Sequence, residues 1–234
     1  MKNLNVSSLL DAISPTAIQA GDSLSVKKYY ELIDEKIAMA STPKKTKEAQ
    51  SWRLREDLVA FFYDGDPAAP VVYLQANPSY DDNATPDTHY QPDPNGRLSV
   101  AGRDIYPPTR AYYRDKVFRH LLDEPVSLED IGRNLLKVEL CPWASKKWPG
   151  TGDLQNALAM FPSRKPIRKF VQQLVDRGAI FIIARAWGPW FEAVPDLKRL
   201  VGKQVFISRA PVSPSISRGI YPDGWDAIVS ALRR

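Results

Sequence analysis

Four short apolar runs, each ending in a polar, basic or proline-bearing turn, restrict this chain more than any other feature. They are Val71-Val72-Tyr73-Leu74, Leu135-Leu136-Lys137-Val138-Glu139-Leu140, Ala179-Ile180-Phe181-Ile182-Ile183-Ala184 and Lys203-Gln204-Val205-Phe206-Ile207-Ser208. Short apolar runs bounded by turn residues suit strands buried on both faces. Helical periodicity separates them, over residues 109–122, 154–161, 166–176 and 191–200, the last interrupted near Pro195, and closes the chain over 225–232. Strand–helix alternation predicts a parallel sheet with short, right-handed crossovers. The expected fold is α/β, a three-layer α/β/α arrangement around a central four-stranded, mainly parallel sheet. No internal repeat or low-complexity tract breaks the pattern. A single domain over residues 1–234 is therefore expected, with residues 1–50 as a peripheral helical extension.

Upstream, Val26, Tyr29, Tyr30, Ile33 and Ile37 make one helical stripe. Residues 41–47, with Lys44, Lys45 and Lys47, read as a solvated basic linker. Trp52 to Tyr63 again shows helical spacing, through Trp52, Leu54, Leu58, Phe61 and Phe62. Residues 79–108 have no clear period and are rich in Asp, Asn, Pro, Thr and Gly. A loop that long inside a compact domain is usually functional.

Composition removes several classes of function. One cysteine, Cys141, rules out an internal disulfide framework and a cysteine-rich zinc site, and two histidines argue against a His-based metal site. The start of the chain shows no secretory h-region, and no apolar run reaches membrane-spanning length. A cytoplasmic protein without a membrane partner is expected, and a monomer is favoured. Lys plus Arg exceed Asp plus Glu by 32 to 27, a net charge of +5, which permits a polyanionic partner.

In open α/β sheets, ligands bind past the carboxyl ends of the strands. The four exits are therefore expected to meet at one edge. They carry Gln75, Ala76, Asn77, Ser79 and Tyr80; Cys141, Trp143, Lys146 and Lys147; Arg185 and Trp187; and Arg209, Ser213, Ser215, Ser217 and Arg218. Pro78 restricts the backbone of Asn77. Glu139, at the end of the second run, is costly to bury unpaired, so it is either paired or functional. Cations, serines and aromatics around an Asn suit nucleic acid: phosphate takes the first two, and a base removed from the stack lies against the aromatics.

Here the chain resembles the uracil-DNA glycosylase superfamily, over roughly Val71 to Ser217. Gln75-Ala76-Asn77-Pro78-Ser79 resembles the first motif of its mismatch-specific branch, a Gly-x-Asn-Pro-Gly turn. Val212-Ser213-Pro214-Ser215-Ile216-Ser217 resembles its late His-Pro-Ser-Pro-Leu-Ser motif. The resemblance implies that Asn77 positions the hydrolytic water. It implies that the Ser213 to Ser217 loop enters the minor groove and grips phosphate, and that the exit after Leu140 reads the base. Gln75, Ala76, Tyr80, Glu139, Cys141 and Trp143 are then the base-pocket candidates. Ser79, Lys146, Lys147, Arg185, Trp187, Arg209, Ser213, Ser215, Ser217 and Arg218 are the DNA-binding ones. DNA is the implied partner, and neither a cofactor nor a metal is called for.

The chain departs from the pattern at Gln75 and Ser79, which replace glycines, and at Val212, which stands where the family has His. His89, in the long loop, is the candidate replacement and the second candidate catalytic residue. The expected activity is hydrolysis of the N-glycosidic bond of uracil or of a phage-type modified base, in DNA repair or antiviral defence. The missing late His also motivates a rival: a catalytically inactive nucleic-acid-binding protein on the same fold. An unrelated α/β hydrolase or nucleotide enzyme lacks support, since there is no Gly-x-Ser-x-Gly elbow, P-loop or dinucleotide fingerprint.

Overall fold

The computed structural model describes residues 14–80, 82–85, 96–101, 107–149, 152–210 and 213–234, without side chains at 100, 107 and 108. The chain divides into two compact units. The first draws on Met1–Phe62, Ala76–His89 and Leu140–Phe170; the second draws on Tyr63–Gln75, Tyr90–Glu139 and Val171–Arg234.

The second unit holds the sheet. Its strands are β1 (Tyr63–Asp64), β2 (Val71–Gln75), β3 (Leu135–Glu139), β4 (Ile180–Ile183) and β5 (Val205–Ile207), in the order β1-β3-β2-β4-β5. The four expected strands are present and mutually parallel. The sheet has a fifth strand: β1 pairs antiparallel with β3, Tyr63 opposite Val138 and Asp64 opposite Lys137. It is two residues long, too short to leave a period in the sequence. β2 and β3 run in register from Val71 opposite Leu135 to Gln75 opposite Glu139. Alternation then turns Val71, Tyr73 and Gln75 to the same face as Leu135, Lys137 and Glu139.

That face packs on one apolar core. Val71, Tyr73, Leu135, Ile182 and Phe206 meet Val117, Phe118, Leu121 and Ile131, together with Trp225, Ile228 and Leu232 of the closing helix. The opposite face, with Val72, Leu74, Leu136, Val138, Phe181 and Ile183, is also buried. Burial on both faces is why these strands read as continuous apolar runs.

The helices are α1 (Pro15–Ala38), α2 (Pro43–Gln50), α3 (Pro107–Tyr112), α4 (Arg119–Leu122), α5 (Leu128–Asn134), α6 (Asp153–Ala159), α7 (Arg164–Asp176), α8 (Trp187–Ala193), α9 (Pro195–Arg199) and α10 (Trp225–Leu232). Three expectations are corrected. The basic stretch at 41–47 is not a linker: it enters α2, because Thr42 caps the helix by accepting from the Lys45 N–H and Pro43 suits a first helical turn. The stretch 52–62 is not helical. Its backbone bonds go to the segment after β3 instead, Arg55 N–H to the Ala144 carbonyl at 2.9 Å and Phe61 N–H to the Pro142 carbonyl at 3.1 Å. The helix expected over 109–122 is broken by a π-turn at Tyr113–Val117. A capping box, Ser127 with Asp130, starts α5, which periodicity alone did not mark. Among the described residues no helix is long and apolar enough to cross a membrane.

Candidate functional site

In the first unit, the segments that follow β2 and β3 stay paired beyond the sheet. Cys141 N–H donates to the Ala76 carbonyl at 2.9 Å, and Ser145 N–H to the Pro78 carbonyl at 3.1 Å. Asn77, half-buried, sits in this ladder. Its Nδ2 donates to Ser145 Oγ at 2.8 Å and to the Pro78 carbonyl at 3.0 Å. Ser145 Oγ donates onward to the Lys147 carbonyl at 2.8 Å, so its single proton is committed and it accepts from Asn77. The Ser145 carbonyl, at 3.5 Å, is a third and longer acceptor, so the amino end of the carboxamide is held and the orientation of the group is fixed. Oδ1 accepts no hydrogen bond among the described residues and is not enclosed. A carboxamide anchored through nitrogen can accept a water O–H at Oδ1 and hold that oxygen in place. Being neutral, it orients the water without removing its proton.

Around Asn77 the first unit places its candidates in different settings. Ser79, Lys146 and Lys147 are exposed, and Lys146 pairs with Asp82 at 2.5 Å. Tyr80 is half-buried against Leu58, Ala84 and Ala144. The Arg55 guanidinium lies 4.8 Å from the Tyr80 ring centroid and is itself held by Asp57 at 2.6 and 2.5 Å. Arg55 therefore already occupies a position over the tyrosine ring. Ala76 is buried. Cys141 and Trp143 are buried too, and the Trp143 indole N–H donates to Asp22 Oδ2 at 2.9 Å. Asp22 Oδ1 accepts the Ser163 N–H at 2.9 Å. This fully buried carboxylate anchors Trp143 in the core of the first unit.

In the second unit, Gln75 and Glu139 stand side by side at the carboxyl ends of β2 and β3. Gln75 is half-buried; Glu139 is fully buried. Lys137, also buried, approaches Glu139 Oε1 at 3.6 Å, beyond hydrogen-bond distance. Its ammonium lies 5.6 Å from the Tyr113 ring centroid. Asp64 beside it accepts the Ser99 N–H at 2.9 Å and the Ser99 hydroxyl at 2.6 Å. Burial pushes the Glu139 carboxyl up to about 7, although Lys137 pulls it down. Burial opposes the charge of Lys137 as well, but Tyr113, Glu139 and Asp64 outweigh it and raise the ammonium above its ordinary value.

The other two exits also belong to the second unit. Arg185 is exposed, Ala186 has φ 55°, and Trp187 is 51% exposed with its ring 6.0 Å from that of Phe191. Trp190 is buried and donates its indole N–H to the Gln75 carbonyl at 2.9 Å. After β5, Ser213 Oγ accepts the Ser215 N–H at 3.3 Å, while Ser215 Oγ is buried without a hydrogen bond among the described residues. Tyr73 donates its hydroxyl to the Pro214 carbonyl at 3.1 Å, and buried Ile216 donates its N–H to the Val117 carbonyl at 2.9 Å. The loop is thereby pinned, with Ser217 half-buried. Arg209 pairs with Asp223 at 2.8 Å and Arg218 with Asp226 at 3.0 Å. Such exposed pairs contribute at most about 1 kcal/mol, so phosphate can displace the carboxylates.

His89 and Val212 lie outside the described residues. Sequence reasoning missed Ser145, Asp22, Asp64 and Lys137. Of these only Lys137 left a signal: two charges two residues apart, Lys137 and Glu139, in an otherwise apolar strand. Among the described residues no three His, Cys, Asp or Glu side chains group to hold a metal ion. Comparison with models of protein families, with curated proteins and with solved structures found no match to this chain.

Proposed function

We propose that the chain is a monofunctional DNA glycosylase that hydrolyses the N-glycosidic bond of a flipped base, uracil or a phage-type modified one. We take the helices to cover both faces of the sheet as three layers, and the protein to act on DNA in the cytoplasm, in repair or in antiviral defence. What supports this is the anchoring of Asn77 through Nδ2 to Ser145 and Pro78, which leaves Oδ1 as the acceptor that a hydrolytic water needs. The likeness of Gln75–Ser79 and Val212–Ser217 to two motifs of the uracil-DNA glycosylase superfamily points the same way.

In this mechanism the bond from the sugar to the base nitrogen breaks with its electron pair going to the base. The water oxygen bonds to the sugar carbon, and a water proton ends on the departed base. The sugar is cation-like in the transition state and the base anion-like. Asn77 contributes by positioning, and DNA phosphates and fixed protein dipoles supply the charge stabilisation. Arg209, Arg218 and the Ser213–Ser217 segment are assigned to phosphate.

The test is incubation of the purified protein with DNA carrying uracil, deaminated, alkylated or phage-type modified bases, followed by alkaline cleavage at abasic sites. Asn77→Ala is expected to slow single-turnover excision about 100-fold. Absence of abasic sites on every substrate sinks the enzymatic reading. Salt-dependent DNA binding without excision, unchanged in Asn77→Ala, establishes the inactive DNA-binding protein instead.

A further inference from the structure

Glu139 makes no hydrogen bond through either carboxylate oxygen among the described residues, and it is 0% exposed. Lys137 supplies opposite charge 3.6 Å from Oε1. An ionised carboxylate only accepts, and removing one from water without donors costs several kcal/mol. Its neighbour across the parallel register is Gln75, whose half-buried carboxamide brings one acceptor and two donors to the same face. Two adjacent strand ends thus place a buried carboxylate, with no hydrogen bond to its oxygens and the Lys137 ammonium 3.6 Å from one of them, beside an amide.

We propose that Glu139 and Gln75 read the edge of the flipped base, and that this base carries an exocyclic amino group beside a ring nitrogen. This rests on the glycosylase reading and names its substrate class: cytosine-, adenine- or guanine-type bases, with or without further modification, in place of uracil. The amino N–H donates to the Glu139 carboxylate, and the Gln75 amide bonds the ring nitrogen or carbonyl next along the edge. Uracil offers an N–H flanked by two carbonyls, so it sets a carbonyl oxygen against the carboxylate. That is a repulsive contact between two acceptors.

The groups around Glu139 are Lys137 on its own strand, Asp64 on β1, and Gln75 and Tyr73 on β2, with Tyr113 over Lys137. Because burial pushes Glu139 up to about 7, the neutral acid forms below that pH. The acid can donate to a carbonyl, so discrimination against uracil-type bases narrows as the pH falls.

Matched DNA substrates that exchange the amino group for a carbonyl, and with it the neighbouring ring nitrogen for an N–H, test this: 5-hydroxymethylcytosine against 5-hydroxymethyluracil, and adenine against hypoxanthine. The amino member of at least one pair is expected to be excised at least tenfold faster at pH 8, with the ratio falling at pH 6. Glu139→Gln, which adds a donor, is expected to bring the ratio near one. Equal or preferred excision of the carbonyl member in both pairs overturns the inference and leaves the glycosylase intact, as does a ratio unmoved in a folded Glu139→Gln. If Glu139→Gln does not fold, the wild-type ratios and their pH dependence decide. If no base is excised, the glycosylase reading fails. The same four free bases, titrated calorimetrically into the full chain, then decide: tighter binding of the amino members upholds the inference, and equal or undetectable binding overturns it.

Discussion

Asn77 and Ser145, 68 residues apart in the chain, are joined side chain to side chain, Nδ2 to Oγ at 2.8 Å. The bond decides which end of the Asn77 carboxamide is spent on the protein and which end is left for solvent. Ser145→Ala removes the closest of the Nδ2 acceptors, the hydroxyl, and leaves the Pro78 and Ser145 carbonyls and Asn77 itself in place. It is expected to reduce single-turnover excision about 10- to 100-fold and to cost about 1 kcal/mol of stability. Rapid-quench kinetics beside urea unfolding check both numbers. A wild-type rate in Ser145→Ala would show that anchoring Asn77 does not matter to the chemistry.

Glu139 links stability to pH. Its folded-state value is raised to about 7 from an ordinary 4.5, so between these values the folded protein holds a proton that the unfolded chain has released. Stability then falls as the pH rises from about 4.5 to about 7, and is level with respect to this group above that. Thermal melts across pH 4.5 to 8 are expected to show the decline in the wild type and its loss in Glu139→Gln. A Tm that climbs with pH over this window in the wild type, and equally in the variant, contradicts the assignment.

Ala186 holds a left-handed backbone at φ 55° immediately before α8. A side chain there costs about 1–2 kcal/mol relative to an unstrained residue, and part of that is offset by the freedom glycine adds to the unfolded chain. Ala186→Gly is expected to raise stability by about 0.5–1 kcal/mol. Denaturant midpoints measure it, and a lower midpoint would mean that the Ala186 methyl contributes packing worth more than the strain.

Arg209 and Arg218 are exposed: Arg209 pairs with Asp223, and Arg218 pairs with Asp226, with the half-buried Glu124 at 3.9 Å and the Trp225 ring centroid at 5.9 Å. If each exchanges its carboxylate for a phosphate, the double variant Arg209→Ala/Arg218→Ala lowers the slope of log K against log salt by about 2. Fluorescence anisotropy with labelled duplex, repeated over several salt concentrations, reads the slope. An unchanged slope removes both residues from the interface.

Much of the sheet was legible because β2 to β5 are buried on both faces, and burial writes itself as an unbroken apolar run. The helices at 153–159, 164–176 and 225–232 were legible for the complementary reason, their 3.6-residue period. The stretch 52–62 misled because its apolar spacing matches a helix, while its backbone donors are taken by carbonyls at 142 and 144. Helix α2 hid behind its lysines, since charge says nothing about backbone bonding once Thr42 and Pro43 start a helix. Trp143 and Cys141 read as pocket candidates because they follow a strand. Their burial, and the bond from Trp143 to Asp22, depend on a helix more than a hundred residues away in the chain.

The sequence alone determined the α/β class, the four parallel strands and the residue types at their exits, because these follow from local period and from where apolar runs stop. Tertiary structure decided the order of the strands, the antiparallel β1 edge and the partner of each polar side chain. Only the register between β2 and β3 puts Gln75 beside Glu139, and only the packing after β3 puts Ser145 under Asn77. A hydrogen bond reaches about 3 Å, and separation along the chain carries no information at that scale until the backbone has folded.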